Sequence, residues 1–474
     1  QGLAEFEEIK KRCGANCGIL NVSGCMESQK VHLMYGLSGL FPYHLILADD
    51  ERNAKEIYED YRFYDKNVYF YPAKDLLFFQ ADIHGNLLIR QRMRVIRALL
   101  EQEEVTVVTS IDGCMDFLMP LEKIRSRLLH FKSDSVIDLD QLKEELVELG
   151  YERTGQVELP GQFSVRGGII DIYPLTEDNP WRIELWDDEV DSIRSFDAES
   201  QRSLENVDEI TIYPAVEKMD GEDMVSFLDY FPEEKTLVFL DELNHLAENG
   251  EGVEEEYRQS RMHREEKGEA NLPEQWLCGF QELQKKLNRR NCVAVSALSP
   301  RRSGWKINEE FDLTVKSVDS YNSSFELLVK DLLQYKSQGY RIALLSGSRT
   351  RAERLAKDLS EEGLNAFYSQ DMDRIISPGE IMVVYGHARR GFQYPLIKFA
   401  VMTETDIFGK EQKKRKKKKK YSGNRIQDFA ELSIGDLVVH EKHGLGIYRG
   451  IEKVEVDRVV KDYIKIEYRG GSNL

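Results

Sequence analysis

Two neighbouring stretches decide the fold: Gln162-Phe-Ser-Val-Arg-Gly-Gly-Ile-Ile-Asp-Ile-Tyr-Pro174 and, shortly after it, Trp181-Arg-Ile-Glu-Leu-Trp186. Both alternate apolar and polar residues with a period of two, which is typical of β-strands with one buried face. Gly167-Gly168 divides the first stretch into two short runs, as a tight turn between antiparallel strands would. Further turn residues punctuate the surrounding chain. The pattern predicts a separate, antiparallel-rich domain around these stretches.

Strand parity assigns the charged and aromatic side chains of this domain to one face. Arg182 and Trp186 alternate with apolar residues, and Arg166 ends an apolar strand on the polar side. Two arginines and a tryptophan on the polar faces of neighbouring strands match the composition of protein interface hot spots. The alternative is that Trp186 packs under a loop and that the arginines pair with Asp187 or Asp188. Parity alone does not decide between the two.

The rest of the chain divides by the same kind of pattern. Upstream, apolar runs at 44–48 and 105–109 predict buried parallel strands between helices, and a second small α/β unit is predicted around strands at 341–345 and 380–384. Short strands beginning at 435–440 indicate a small β-barrel. We therefore expect a multidomain α/β protein with a separate antiparallel-rich domain. The predicted segments are 1–118, 119–214, 215–315, 320–408, a linker at 409–428, and 429–474.

Composition limits the class of protein. The chain has 474 residues, 41% hydrophobic and 31% charged, which is ordinary for several globular domains of about 150 residues each. It contains no apolar run near the roughly 18 to 20 residues that span a bilayer and no signal-peptide pattern, so we expect a cytoplasmic protein. Six dispersed cysteines fit a reducing compartment and lack the spacing of a zinc site, while His440 and His443 look like a His-x-x-His metal pair but supply only two ligands. The first residue, Gln1, and the ending after a Gly-Gly turn are what we expect of a piece of a longer protein.

The charge is unevenly distributed. Residues 409–425 hold ten Lys or Arg against Glu411, a net of +9, while the whole chain carries −19 and the remainder therefore −28. The unbroken basic run from Lys413 to Lys420 predicts a solvated linker. It is also compatible with non-specific DNA contact, because clustered cations release counterions from phosphates. The candidate contacts are Lys413, Lys414, Arg415, Lys416 and Lys417.

The motifs that could support catalysis are incomplete or unspecific. Gly36-Leu-Ser-Gly39 follows an apolar segment and is interpreted as a degenerate phosphate-binding loop, in which Pro42 replaces the Lys and Tyr43 the Ser or Thr of a working loop. Leu237 to Glu242 is an apolar strand ending in Asp241-Glu242, similar to the Mg²⁺-binding strand of nucleotide hydrolases. Without a loop lysine we expect no ATP hydrolysis by this chain, and no catalytic residue, cofactor or metal is predicted in it.

One helix carries a basic stripe. The segment 87–100 places Arg90, Arg94 and Arg97 on one side and apolar residues on another. Such a stripe is more often a solvated face than a DNA contact.

At this point the quoted motifs become specific. The stretches at 162–174 and 181–194, together with Phe196-Asp-Ala-Glu-Ser-Gln-Arg-Ser203, resemble the second domain shared by the excinuclease subunit UvrB and the bacterial transcription-repair coupling factors. Tyr71 to Asp75, Val384 to Phe392 and Asp406 to Gly409 resemble the first and third domains of the coupling factors. Gly435 to Gly450 resembles the start of their RNA-polymerase-interacting domain, which is also seen in CarD-type regulators. The matches follow the order of that family along nearly the whole chain.

The resemblance implies a fold, a function and partners. It implies a degenerate RecA-like first domain with an inserted antiparallel α+β domain, and a C-terminal partial SH3/Tudor-like barrel. It further implies that the parent protein releases RNA polymerase stalled at DNA damage, using an ATP-driven, DNA-binding translocase that also needs Mg²⁺ and is absent here, and recruits UvrA. Carried over by motif, the UvrA-binding residues are Arg166, Arg182 and Trp186, the last standing where the family also has Phe.

The resemblance also implies an RNA polymerase contact. The family binds the polymerase β subunit by adding a strand to its partner's sheet, and the strand around Lys453, Val454 and Glu455 is predicted to be that edge. The chain is thus predicted to be a non-catalytic adaptor. Two alternatives remain open, namely a UvrB-type helicase subunit and a DNA-binding scaffold that works through the basic run.

Overall fold

The computed structural model describes most of the chain. The described ranges are 2–14, 17–74, 86–216, 224–266, 277–300, 304–371, 374–409, 435, 437–440, 444–456 and 459–468. Within these ranges, the backbone alone is described at 86, 263–264, 266, 439–440, 444–446, 450–456 and 459–468. The basic run from Lys413 to Lys420, with its candidate DNA contacts, lies outside the described residues.

The N-terminal segment alternates strands and helices, as its buried apolar runs predict. Its elements are α1 (Ala4–Cys13), β1 (Ile19–Ser23), α2 (Glu27–Ser38), β2 (Tyr43–Ala48), α3 (Glu51–Tyr61), β3 (Val68–Tyr71), α4 (Asn86–Glu101), β4 (Val105–Ser110), α5 (Ile111–Cys114) and β5 (Phe117–Leu118). Asp50 caps α3 by accepting a hydrogen bond from the backbone N–H of Asn53 at 2.7 Å.

The second segment changes to antiparallel strands. Its elements are α6 (Leu121–Ser126), β6 (Leu129–Lys132), α7 (Leu139–Glu148), β7 (Glu152–Arg153), β8 (Gln162–Arg166), β9 (Ile169–Ile172), β10 (Trp181–Trp186), β11 (Glu189–Phe196), β12 (Ser203–Val207) and β13 (Glu209–Ile212). The strand order of its main sheet is β12-β11-β10-β9-β8-β7, antiparallel except for the short pairing of β7 with β8.

The chain then returns to the first sheet. The returning elements are β14 (Val225–Ser226), β15 (Thr236–Asp241), α8 (Leu243–Glu266), α9 (Phe280–Leu287), β16 (Cys292–Val295) and β17 (Ile307–Asp312). They complete a seven-stranded sheet, all of whose pairings are parallel, with the order β17-β1-β16-β15-β2-β4-β3. The antiparallel segment is therefore inserted between two parts of one parallel sheet, as predicted.

Apolar packing joins these parts. One face of the parallel sheet, including Leu47 and Val107, shares a continuous cluster of buried side chains with Phe163 and Ile183 of the inserted sheet. The opposite face packs against α1, α2 and α3 in a second cluster, which extends to Phe392 of the following unit. The inserted sheet thus has its own strand order but not its own separate core.

A second α/β unit follows. Its elements are β18 (Lys316–Ser317), α10 (Phe325–Ser337), β19 (Arg341–Ser346), α11 (Arg349–Glu361), β20 (Asn365–Tyr368), β21 (Glu380–Tyr385), β22 (Phe392–Tyr394), β23 (Phe399–Thr403) and α12 (Glu404–Phe408). They form a six-stranded mixed sheet of order β18-β22-β23-β19-β21-β20. Several separate sheets with helices confirm the prediction of a multidomain α/β protein.

The last described elements are three strands. They are β24 (Leu437–His440), β25 (Gly444–Val456) and β26 (Val459–Tyr468), and they form an antiparallel sheet in which β25 lies between the other two.

Candidate functional site

The strongest candidate site is the polar face of the inserted sheet. Directly opposite residues of antiparallel strands share a face, and Arg182 on β10 lies opposite Asp171 on β9. On the other side of β10, Glu184 lies opposite Ser192. Ile183 points the other way and is fully buried. The alternation predicted from the sequence therefore agrees with the side-chain positions.

Asp171 organises this face. Its side chain is 1% exposed, and a buried carboxylate requires charged or hydrogen-bonding partners. Arg182 supplies a two-point contact, with Nε donating to Oδ1 at 2.7 Å and Nη2 donating to Oδ2 at 2.9 Å. Arg166 also donates to Oδ2, from Nη2 at 2.9 Å. The carboxylate is thus shared by two guanidinium groups from neighbouring strands.

The Arg182 side chain is fixed from several directions. Its guanidinium carbon lies 4.3 Å from the centroid of the Phe196 ring, and Nη2 donates to Oε1 of Gln201 at 3.0 Å. Hydrogen bonding to Asp171 raises the pKa of Arg182, against the opposing effect of partial burial. The group is a rigid, permanently charged part of the surface, and its side chain remains 14% exposed.

The neighbouring pair on this face is Glu184 and Arg194. Arg194 Nη1 donates to Glu184 Oε2 at 3.0 Å, and this hydrogen bonding lowers the pKa of Glu184. The two side chains are therefore paired with each other, which leaves Arg166 and Trp186 as the more open members of the face.

Trp186 is the most exposed element of the site, with 80% of its surface accessible. It is the last residue of β10, and the hairpin that follows turns at Asp187, whose φ is 60°. The alternative predicted from the sequence, in which Trp186 packs under a loop, is therefore wrong. The arginines pair with Asp171 instead of Asp187 or Asp188. Arg166, half exposed at 49%, and Trp186 remain accessible to a partner.

Sequence reasoning missed Asp171. A signal was present, because it is a lone acid in the apolar run Ile169-Ile-Asp-Ile172 with the parity of the polar face. Its role depends on strand register, which placed Arg182 directly opposite it. The sequence alone does not give that register.

The predicted phosphate-binding loop is placed differently by the structure. Gly36 lies inside α2, and Gly39 caps the end of that helix before Pro42 and Tyr43 lead into β2. A phosphate loop must follow a strand and precede a helix, so the interpretation of Gly36 to Gly39 as that loop is wrong. Between β1 and β2, the connection with the required order is the turn after β1, where Gly24 has a φ of +77°.

Lys30, one turn into α2, binds the two acids at the end of β15. Its Nζ lies 2.7 Å from Asp241 Oδ1 and 2.6 Å from Glu242 Oε1, while Asn53 Nδ2 donates to Asp241 Oδ2 at 2.7 Å. Burial opposes the charged form of Lys30, but the two carboxylates outweigh it and raise its pKa. The cation and both acids are thereby engaged with one another.

The start of α2 is also covered. The backbone N–H groups of Arg389 and Arg390 donate to Ser28 Oγ at 2.9 and 3.2 Å, and the Arg389 side chain binds Asp60 and Glu56 at 3.1 and 2.5 Å. This contact joins the second α/β unit to the first where a phosphate group would need access.

The basic stripe of α4 is a partly exposed face whose arginines are paired with acids. Arg90 and Arg94 both reach Asp178, at 2.7 and 2.6 Å, and Arg97 reaches Glu177 at 2.5 Å. The stripe therefore contacts the connection between β9 and β10, a contact that the sequence did not predict.

The predicted polymerase-binding residues lie in β25. Lys453, Val454 and Glu455 pair with Asp462, Lys461 and Val460 of β26. β24 pairs with β25 only over the register 444–447. Among the described residues, the side of β25 opposite β26 therefore has no strand partner at 453–455.

The described residues contain neither a metal-binding cluster nor a membrane-spanning helix. No cluster of three or more His, Cys, Asp or Glu there could hold a metal ion. None of the described helices is both long and apolar enough to cross a membrane.

Comparison with known proteins places these features in two domain families. Residues 129–217, which contain the Asp171 face, match the UvrB interaction domain, and residues 432–474 match the CarD-like/TRCF RID domain. Two separate segments of the chain are therefore each similar to one of these domain families.

Over most of its length the chain is a relative of the transcription-repair-coupling factors. It is 29% identical to that of Bacillus subtilis (strain 168) over 96% of this chain and 45% of the relative. It is 27% identical to that of Staphylococcus aureus (strain MRSA252) over 86% and 40%, and 28% identical to that of Staphylococcus epidermidis (strain ATCC 12228) over 91% and 42%. The resemblance drawn from the motifs is confirmed, and the chain spans less than half the length of these relatives.

Proposed function

We propose that this chain is the non-catalytic adaptor portion of a transcription-repair coupling factor, which holds UvrA through the Asp171 face and RNA polymerase through the C-terminal sheet. The parent protein would use these contacts to release polymerase stalled at DNA lesions and to bring in excision repair, with ATP consumed by a motor outside this chain. The observation that carries the proposal is the accessible Arg166 and Trp186 beside the Asp171–Arg182 pair, inside the match to the UvrB interaction domain.

The chemistry of this face suits a protein partner. Trp and Arg dominate interface hot spots because they bury a large area and still make directed polar contacts. Arg182 is held in place by Asp171, Phe196 and Gln201 before any partner arrives, so little side-chain entropy is lost on binding. We expect a partner to bind this mixed polar and aromatic surface without a nucleotide.

The test is the affinity of the chain for purified UvrA. We expect Trp186→Ala and Arg166→Ala each to weaken binding by about 2 kcal/mol. Val147→Ala is the matched control, because Val147 is 57% exposed on α7, whose buried residues pack on the opposite, apolar face of the sheet. Unchanged affinity in both site variants would refute the assignment.

The same proposal excludes ATP hydrolysis by this chain. Lys30 is bound by Asp241 and Glu242, so neither the lysine nor the acids are available to a nucleotide and its Mg²⁺ unless buried ion pairs are broken. The RecA-like character of the first unit is proposed on the same grounds, from its parallel strand order and from the acids at the end of β15.

For RNA polymerase we propose strand addition to β25 at Lys453, Val454 and Glu455. Consecutive residues of a strand direct their N–H groups to opposite edges, so of Lys453→Pro and Val454→Pro one removes an N–H toward β26 and the other an N–H toward the open side. We expect the open-side variant to keep its thermal transition and lose binding to the polymerase β subunit. Equal binding by a folded open-side variant would exclude this edge. The basic run at 413–417 is proposed only as an auxiliary DNA contact.

A further inference from the structure

The inserted sheet extends beyond β11 through the segment that follows β6. Ile137 N donates to Asp188 O at 2.8 Å, and Val190 N donates to Ser135 O at 2.9 Å. These two bonds flank an antiparallel bridge between Val136 and Glu189. The pairing is of the type without direct hydrogen bonds between the opposed residues, in which the side chains lie closest together.

This register places Val136 on the same face as Trp186. Glu189 lies opposite Val136 on one side and opposite Trp186 on the other. Opposed residues of antiparallel strands project to one face, so the three side chains form a row across three strands. At a strand spacing of about 4.8 Å, Val136 and Trp186 are roughly 10 Å apart.

Both ends of the row are apolar and open. Val136 is 70% exposed and Trp186 is 80% exposed, and Glu189 between them is also exposed. A single exposed apolar residue is ordinary, but here an exposed valine and an exposed tryptophan lie on one face, on either side of Glu189. It adjoins Arg166 and Arg182, the other members of the proposed interface.

The surroundings of the row are acidic. The exposed acids beside it are Asp134, Asp187, Asp188, Glu189 and Asp191. Among the described residues no ion pair engages any of these five, whereas Glu184 further along the same face is bound by Arg194. The acids at this end of the sheet are therefore free to meet a partner, and they differ in sign from the Arg166 end.

We propose that the partner of the Asp171 face also covers Val136, and that it does so with an apolar patch framed by Lys or Arg side chains that meet Glu189 and its neighbours. The inference rests on the proposed function and extends it from three residues to a row with a defined direction, basic at Arg166 and acidic at Glu189. Val136 is a binding residue of this surface, and the negative charge of Glu189 selects a positively charged side chain of the partner.

The experiment measures the affinity of purified UvrA for the full chain and its variants by calorimetry. We expect Val136→Ala to weaken binding about fivefold, and Val136→Asp and Glu189→Lys more than tenfold. Val147→Asp, on the opposite layer, is the control and is expected to leave the affinity unchanged. Circular dichroism melting confirms that each variant is folded.

The outcomes separate the two proposals. If Trp186→Ala weakens binding while Val136→Asp and Glu189→Lys do not, the extension to Val136 is overturned and the proposed function stands. If none of these variants changes the affinity, both are overturned. Exposed charge interactions are screened between about 50 mM and 500 mM salt. If the loss of affinity caused by Glu189→Lys were equally large at both salt concentrations, the charge complementarity would be overturned.

Discussion

Arg166 and Arg182 donate to the same atom, Oδ2 of Asp171, each at 2.9 Å. One guanidinium is half exposed and the other is largely enclosed, so a single buried carboxylate links the accessible edge of the sheet to its interior. The position of Arg166 therefore depends on a residue that no partner would touch.

Removing this carboxylate should affect both stability and binding. Asp171→Ala leaves the guanidinium of Arg182 enclosed without a counter-ion, and we expect a loss of about 3 kcal/mol in the free energy of unfolding, measured by urea denaturation. UvrA affinity should fall as well, because Arg166 loses its anchor.

Asp178→Ala is the matched control for Asp171. Asp178 also binds two arginines, Arg90 and Arg94, but its side chain is 82% exposed, so its removal should cost less than about 1 kcal/mol. Equal losses for the two variants would contradict a central role for Asp171.

Lys30 should be structural. Lys30→Met leaves Asp241 and Glu242 together without their cation, and we expect the chain to lose about 3 kcal/mol of stability at neutral pH. Lys55→Met, which breaks the exposed pair with Glu51 and a 5.6 Å cation–π contact with Phe70, should change stability by less than about 1 kcal/mol. Thermal melting of the two variants side by side provides the measurement, and a Lys30 variant as stable as the Lys55 variant would argue against the buried pair.

The chain should not turn over ATP. With Lys30 and the β15 acids engaged with one another, we expect phosphate release from Mg²⁺-ATP to stay at the buffer rate and the melting temperature to be unaffected by millimolar nucleotide. Turnover that is measurable in the chain and disappears in Asp241→Ala would sink the adaptor proposal and favour the UvrB-type helicase alternative.

Acid should loosen the contact between the two α/β units. Burial lowers the pKa of His32 from 6.5 to about 4, and the ring lies among Tyr64, Phe392, Tyr394 and Phe399. His32 is therefore protonated below about pH 6.5 in the unfolded chain, but only below about pH 4 in the folded chain. Stability from this group is complete above pH 6.5 and is lost as the pH falls to 4, by up to about 3 kcal/mol.

The variant His32→Phe isolates this effect, because it keeps an aromatic ring and removes the titration. We expect its free energy of unfolding to fall less between pH 7 and pH 4.5 than that of the parent chain. Parallel profiles for the variant and the parent chain would show that His32 does not contribute.

Deletion of residues 413–420 tests the scaffold alternative. The Asp171 face is distant from this run along the chain, so we expect UvrA affinity to be unchanged and any affinity for double-stranded DNA at low salt to be lost. Loss of UvrA binding on this deletion would support a scaffold that works through the basic run alone.

Local pattern predicted a large part of the fold. Buried apolar runs indicated the parallel strands, and alternation at 162–166 and 181–186 placed Arg166, Arg182 and Trp186 on the polar face, because parity depends only on strand geometry. Side-chain contacts between segments far apart in the sequence were not predicted by local pattern. The partner of Arg182 is set by register, and the partners of the α4 arginines come from Glu177 and Asp178, about 80 residues later.

The phosphate loop shows a different limit. Gly36 and Gly39 have the composition of such a loop, but a glycine spacing does not state whether a strand or a helix precedes it. Here the chain between β1 and β2 is mostly helix α2, and Gly36 approaches the Phe6 ring of α1 so closely that an added Cβ would lie about 3.1 Å from it. Close helix packing and phosphate binding both favour glycine, so the residue type alone did not distinguish them.

The buried cluster shared by the two sheets has a thermodynamic consequence. Because Leu47 and Val107 belong to the same apolar core as Phe163 and Ile183, neither sheet can lose its packing without exposing the other. The inserted segment and its host should therefore melt as one calorimetric unit, with matching van't Hoff and calorimetric enthalpies. Excising residues 119–214 as an isolated binding module would open one side of that core to water, and the partner surface is best studied with its host attached.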